Sequence, residues 1–353
     1  MNKSTKARKS QFKTVNLALQ GGGAHGAFAW GVLDQICDDG RLSIDGLSAT
    51  SAGAMNTTVY AYGMMKHGPD GARQALHDFW KDVSEAGQPY NPVKPSYWEQ
   101  YFGGWENLNQ SLSYHWFDTF SKVFSPYQFN PLDFNPLRDV LEQHVDFDEI
   151  KRCDCTNMFI CATNVRTNKI KVFHNEELSL DAVMASACLP TLFQAVEIDG
   201  EAYWDGGYMG NPALYPLIYE TETDDIVILH INPIERDEVP KSSHDIHNRI
   251  NEISFNSSLL REMRAIHFAK KIVEEGWIKD EFRDHFHFTH LNIHSIRADD
   301  AMSEFSVASK FSPDWDFLCR LRDAGREATA AWLDENYAAI GKRSTVDLKQ
   351  EFR

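Results

Sequence analysis

The stretch Ile44-Asp45-Gly46-Leu47-Ser48-Ala49-Thr50-Ser51-Ala52-Gly53-Ala54-Met55-Asn56 constrains this chain more than any other. It reads as a short strand that turns sharply at Ser51 into a helix, with Ala49, Ala52 and Gly53 as small neighbours. A strand and a helix joined this tightly pass close together, so side chains at the junction must be small, and the serine is pushed out at the carboxyl end of the strand. The pattern is A-x-S-x-G, with alanine in place of the first glycine of G-x-S-x-G. The helix N-terminus puts backbone N–H groups and a partial positive charge beside the hydroxyl. Taken alone, the pentapeptide favours the plainer reading, a helix start capped by Ser51.

Around this stretch, strand-like and helix-like segments alternate. Expected strands are 15–19, 44–49, 157–165, 169–173, a hairpin over 196–204 turning at Asp199-Gly200, 225–231 and 285–296. Expected helices are 27–37, one after Ser51 stopped by Gly68-Pro69, 178–188, one from Pro212 to about 220, 243–277 and 314–340. This order predicts an α/β fold with a mainly parallel central sheet. The expected organisation is a basic flexible tail over 1–13, a core over 14–231, a helical extension with the last strand over 232–341 packed on the same domain, and a tail over 342–353. Within the core, about 85–135 is rich in proline and aromatic residues and lacks periodicity. It reads equally as a packed loop or as a lid or acyl-chain groove.

The net charge of −16 excludes nucleic acid as a partner for the whole chain. The first thirteen residues run against it, with Lys3, Lys6, Arg8, Lys9 and Lys13 and no acid. They read first as a solvated tail and second as a contact to anionic lipid head groups. No secretory signal is expected. The uncharged run 15–33 contains glycines, Gln20 and His25, which argue against a spanning helix. The six cysteines, Cys37, Cys153, Cys155, Cys161, Cys188 and Cys319, are expected as reduced thiols of a cytoplasmic protein. Cys153-Asp154-Cys155 has the wrong spacing for zinc, and His285, His287, His290 and His294 suit structural or surface roles better than a metal site. No metal and no cofactor are expected.

Three small-residue turns each follow a strand: Gly21–Gly26, Ala49–Gly53 and Asp205–Gly207. In open α/β sheets ligands sit beyond the carboxyl ends of strands, so the turns are expected to converge. The first also fits G-x-G-x-x-G, yet the second strand lacks the acidic residue that would close on a ribose, and no Gly-Lys-Ser/Thr follows for a phosphate loop. Its glycines serve better as backbone donors to an oxyanion. A serine nucleophile needs a base. No histidine is suitably placed; Asp205, flanked by Gly206 and Gly207, is, although Asp-Gly-Gly alone is more often a plain turn.

Together, Gly21-Gly22-Gly23-Ala24-His25-Gly26, the Ser51 elbow, Ala185-Ser186-Ala187-Cys188-Leu189-Pro190 with Phe193, and Asp205-Gly206-Gly207 with Asn211-Pro212 resemble the patatin-like phospholipase family over about 15–231. The resemblance implies a three-layer α/β/α sandwich and a Ser–Asp dyad without histidine. By it Ser51 is the nucleophile, Asp205 the general base, and the Gly21, Gly22 and Gly23 turn the oxyanion hole. Ala49, Gly53, Gly206 and Gly207 support these motifs. The implied activity is metal-free hydrolysis of phospholipid or lysophospholipid acyl esters, in the cytoplasm or at the inner membrane face as a peripheral protein; homo-oligomers are left open. Beside it stand a silent lipid-binding or regulatory protein on the same fold, and an acyltransferase or polyester depolymerase. Two departures are Ala49 for the elbow glycine and His25 where Arg or Lys is more usual, which would make any charge there depend on pH.

Overall fold

A computed structural model describes residues 12–91, 123–236, 239–283, 286–303, 305 and 307–351. Its centre is an eight-stranded sheet. The strands are β1 (Lys13–Leu19), β2 (Leu42–Ala49), β3 (Asn157–Asn164), β4 (Lys169–Phe173), β5 (Val196–Ile198), β6 (Glu201–Asp205), β7 (Asp225–His230) and β8 (Asn292–Arg297). Their order is β5-β6-β3-β2-β1-β7-β8, with β4 also on β3. The pairs β3–β2, β2–β1, β1–β7 and β7–β8 are parallel, whereas β4 and β6 run antiparallel to β3.

The central strands are apolar throughout because both faces are covered. Side chains alternate between two cores. Leu17, Leu19, Met158, Ile160, Val227 and Leu229 enter one; Ala18, Phe159, Cys161, Ile226 and Ile228 enter the other. Helices α1 (Gly26–Asp39), α2 (Ala52–Gly87), α3 (Leu180–Ser186) and, near the C-terminus, α5 (Trp315–Asn336) contribute to the first core. The second is closed by Tyr215–Tyr219 and by α4 (Ser243–Glu274). The result is an α/β/α sandwich whose antiparallel strands are confined to the β3 side.

The strand register explains what this sheet does with its turns. Ile160 pairs with both Ala49 of β2 and Phe173 of β4, so β2 and β4 occupy opposite edges of β3. Ala162 pairs with both Lys171 of β4 and Asp205 of β6, so β6 lies on the edge that β2 occupies. Thus β2 and β6 run head to head along one edge of β3, and Ser51 and Asp205 stand where they meet. Leu19 pairs with Ala49, which brings the Gly21 turn to the same row. Convergence was expected from a common carboxyl edge. It comes instead from a short antiparallel strand pointing back at that edge.

Other elements depart from expectation. Gly68-Pro69 does not end the helical run after Ser51. Gly68 takes a left-handed φ of 69° and Pro69 opens a second helical stretch at once, so α2 continues beyond a kink. The last strand is shorter, Asn292–Arg297, because 286–291 is taken up by turns. Residues expected as a C-terminal tail return to the sheet: Thr345 and Val346 donate to Ile293 O, and Val346 and Leu348 are buried. Lys13 opens β1, its ammonium donating to Tyr337 and Ile340 carbonyls. Cys153 and Cys155, expected as free thiols, form a disulfide. The basic tail to residue 11, residues 92–122 of the aromatic insertion, and His285 lie outside the described residues. Among the described histidines of that cluster, His294 is buried and bonded to Asp225 (2.9 Å) and Thr345 (3.0 Å), a structural role. No described helix is long and apolar enough to cross a membrane.

Candidate active site

Ser51 caps α2 with φ 56° and ψ −123°, a conformation that side-chain-bearing residues rarely adopt. Such a residue costs about 1–3 kcal/mol and persists only where its surroundings enforce it. Here they do. Thr50 N–H donates to Leu19 O (3.2 Å), and Gly53 N–H to Thr50 O (2.9 Å). Ser51 N–H donates to Ser186 Oγ (2.9 Å), and that hydroxyl donates in turn to Cys161 O (2.6 Å). Thr50 Oγ1 donates to Gly210 O (2.7 Å), tying the elbow to the turn after Asp205. Gly53 is required because a Cβ there would lie 2.5 Å from Leu19 O. Ala49 is fully buried in the first of the two cores.

Asp205 ends β6 with no exposure, and its own N–H donates to Cys188 O (2.7 Å). Oδ1 accepts the Gly207 N–H (2.7 Å), while Oδ2 has no partner among the described residues. Burial pushes the carboxyl up to about 7, opposed by the Gly207 N–H, the Ser51 hydroxyl and Lys310. The carboxyl thus has one oxygen held by Gly207 N–H and the other without a partner among the described residues, with the Ser51 hydroxyl beside it. Gly206 passes so near β3 that a Cβ would lie 2.1 Å from Cys161 O and 3.0 Å from Thr50 Cγ2. Gly207 lies against the Phe255 ring of α4.

The glycine turn completes the row. A Cβ on Gly21 would fall 2.6 Å from Ser51 Cβ and 3.0 Å from Thr50 O, so the glycine turn lies directly against the elbow. The Gly21 N–H is already given to Asn211 Oδ1 (2.7 Å), which removes it from the expected oxyanion donors. Gly22 packs on Ile231, and Gly23 has a left-handed φ of 60°. The N–H groups of Gly22 and Gly23 have no acceptor among the described residues and remain as donors. His25 is buried, with Nε2 2.7 Å from Ser309 Oγ. Burial, together with Lys310 and Arg236, holds its pKa well below the ordinary value. This favours the neutral imidazole, against the pH-dependent charge expected there.

The expected site residues Ser51, Asp205, Gly21, Gly22, Gly23, Ala49, Gly53, Gly206 and Gly207 therefore lie together. Gln20, Asn232 and Lys310 were missed, and Ser186, quoted within a motif, was given no role. Gln20 Oε1 accepts from Ile231 N–H (3.0 Å) and Asn232 N–H (3.1 Å), bracing the turn. Ser186 holds the elbow, and Asn232 and Lys310 back the glycine turn from outside the motifs. An uncharged polar residue directly after an apolar strand was the available signal for Gln20; nothing local marks Lys310. Elsewhere, a large surface cavity lined by Asp45, Asp154, Glu222, Lys270 and Lys342 opens at the amino ends of the strands, away from Ser51. No cluster of three or more potential metal ligands occurs among the described residues.

Comparison with known proteins places the chain at the level of a family. A family model described as patatin-like phospholipase matches residues 17–218. The uncharacterized protein R571 of Acanthamoeba polyphaga mimivirus is 25% identical over 251 residues, covering 67% of this chain and 72% of that protein. The crystal structure of VipD from Legionella pneumophila aligns with a TM-score of 0.40 and 14% identity, over 97% of this chain and 73% of that one.

Proposed function

This chain belongs to the patatin-like phospholipase family, a family of lipid acyl hydrolases, and from that premise we propose that it hydrolyses phospholipid or lysophospholipid acyl esters with Ser51 as nucleophile and Asp205 as base. The observation that carries the reading is the head-to-head meeting of β2 and β6, which brings a strained serine to a buried carboxyl with one unpartnered oxygen.

Ser51 Oγ attacks the ester carbonyl carbon as its proton passes to Asp205. The carbonyl oxygen becomes an oxyanion, met by the Gly22 and Gly23 N–H groups. Collapse breaks the acyl C–O bond, and the leaving alkoxide takes the proton from Asp205. The acyl group stays on Ser51. A water then gives its proton to Asp205 and attacks the acyl carbon, and the released Ser51 oxygen recovers the proton as the fatty acid departs. A base that titrates at about 7 is matched to this work near neutrality.

The exposed face of α4 supports a membrane-borne substrate. Ile246, Ile250, Ile253 and Phe268 form one helical stripe with Arg261 and Arg264, and no exposed acid interrupts it between Asp245 and Lys271 among the described residues. An arginine-bearing apolar stripe on a chain of net charge −16 fits an anionic phospholipid surface.

The test is turnover of phospholipid and lysophospholipid by Ser51→Ala and Asp205→Asn, with folding followed by circular dichroism. Each variant is expected to stay folded and to lose several orders of magnitude in rate, about what loss of one member of such a unit causes. Retained turnover in either folded variant would remove that residue from the mechanism.

A further inference from the structure

Lys310 stands more than ninety residues beyond the family match, which ends at residue 218. It lies in the short helical turn Val307–Phe311, directly against the glycine turn: a Cβ on Gly23 would sit 2.4 Å from Lys310 O. Its ammonium donates to Asn232 Oδ1 (2.7 Å). The amide of Asn232 donates to Gly21 O (2.7 Å) and to Gln20 Oε1 (3.3 Å).

Gly21 O belongs to the same peptide group as the Gly22 N–H. In a trans peptide these two point in opposite directions. A hydrogen bond that fixes the carbonyl therefore aims the N–H. Because the chain of donors begins at a cation, it also polarises that peptide and strengthens its N–H as a donor. We propose that Lys310 is a positioning residue which, through Asn232, sets and strengthens the Gly22 N–H as an oxyanion donor. Its role in the reaction rests on the hydrolase reading above.

The charges around Lys310 agree with such a part. Glu252 and Asp205 favour its ammonium, and Arg236 opposes it. Arg236 and Arg249 are both paired with Glu252, at 2.8 and 2.9 Å. His25, on the other side, is held neutral partly by Lys310 itself. Burial brings the ammonium down to about 8, so its charge is lost just above neutrality, while the same charge helps keep Asp205 ionised. The segment outside the matched region thus places a cation behind the glycine turn.

Two measurements test this. The first uses protein labelled with [15N]glycine, the Gly22 amide being assigned by its loss in Gly22→Ala. In wild type the Gly22 amide shift should titrate near pH 8, and this titration should vanish in Lys310→Met and in Asn232→Ala. The second is the pH profile of kcat/KM on a short-chain p-nitrophenyl ester. Wild type should rise near pH 7 and fall near pH 8. In Lys310→Met the rate should drop about 10- to 100-fold, less than or at the low end of losing an oxyanion donor outright, and the alkaline fall should disappear. Lys310→Arg, which keeps its charge, should also lack the fall while regaining part of the rate. A Gly22 amide that does not respond to pH or to Lys310→Met in folded protein would overturn the proposal. So would a Lys310→Met profile of wild-type shape. If wild type titrates at Gly22 yet turns over no ester, the hydrolase reading fails and the coupling stands.

Discussion

Asp205 should make the protein less stable as the pH rises, and Asp205→Asn should remove that penalty. The carboxyl is buried and its pKa is raised from 3.8 to about 7. A group whose folded pKa is raised contributes stability that is complete below the unfolded value and is lost as pH rises through the folded one. At about 1.4 kcal/mol per pH decade, the interval from 3.8 to about 7 amounts to about 4 kcal/mol. Asparagine keeps a carbonyl oxygen for the Gly207 N–H and carries no charge. The advantage of Asp205→Asn over wild type should therefore be near zero at about pH 4 and grow to about 4 kcal/mol by about pH 8. Glu262, also raised to about 7 by burial, is common to both proteins and cancels in the difference. The assay is urea denaturation followed by tryptophan fluorescence at both pH values. A gap that does not change with pH, or an asparagine variant less stable than wild type at the higher pH, would refute the account of a carboxyl ionised at the expense of the fold.

Two further outcomes follow from the same structure. Ser186→Ala frees the Ser51 N–H and leaves Cys161 O without its donor; it should cost about 1–3 kcal/mol in denaturation and lower kcat more than it raises KM, as steady-state kinetics would read. Ile250→Asp with Ile253→Asp, both on the exposed stripe of α4, should weaken co-sedimentation with phosphatidylglycerol vesicles while leaving hydrolysis of a soluble ester unchanged; equal binding by wild type and variant would remove the stripe from membrane contact, and a shift to monomer in sedimentation velocity would assign it to self-association.

The catalytic candidates were legible in the sequence because their turns are built from local necessity. Gly53 and Gly206 are small where a Cβ would meet a carbonyl oxygen, and Ser51 and Asp205 are the polar residues set among such neighbours. The reason they meet was not legible. Pairing partners are long-range, and nothing in Ala202-Tyr203-Trp204-Asp205 announces that β6 runs antiparallel to β3 and points at β2. Gly21 looked equal to Gly22 and Gly23 as a donor, since only the folded chain shows its N–H taken by Asn211, 190 residues away. Gly68-Pro69 reads as a stop in isolation, but the packing of both halves of α2 on the same core, through Val59 and Leu76, carries the helix on. Lys310 could not be found at all: it sits in a short turn without periodicity, and its importance lies wholly in what it touches.

The most direct measurement is the site of acylation by a fluorophosphonate, read by mass spectrometry of the digested protein. The account predicts a single adduct on Ser51, absent from Ser51→Ala and formed far more slowly in folded Asp205→Asn. An adduct on another residue of wild type, or none while phospholipid is still being hydrolysed, would contradict it.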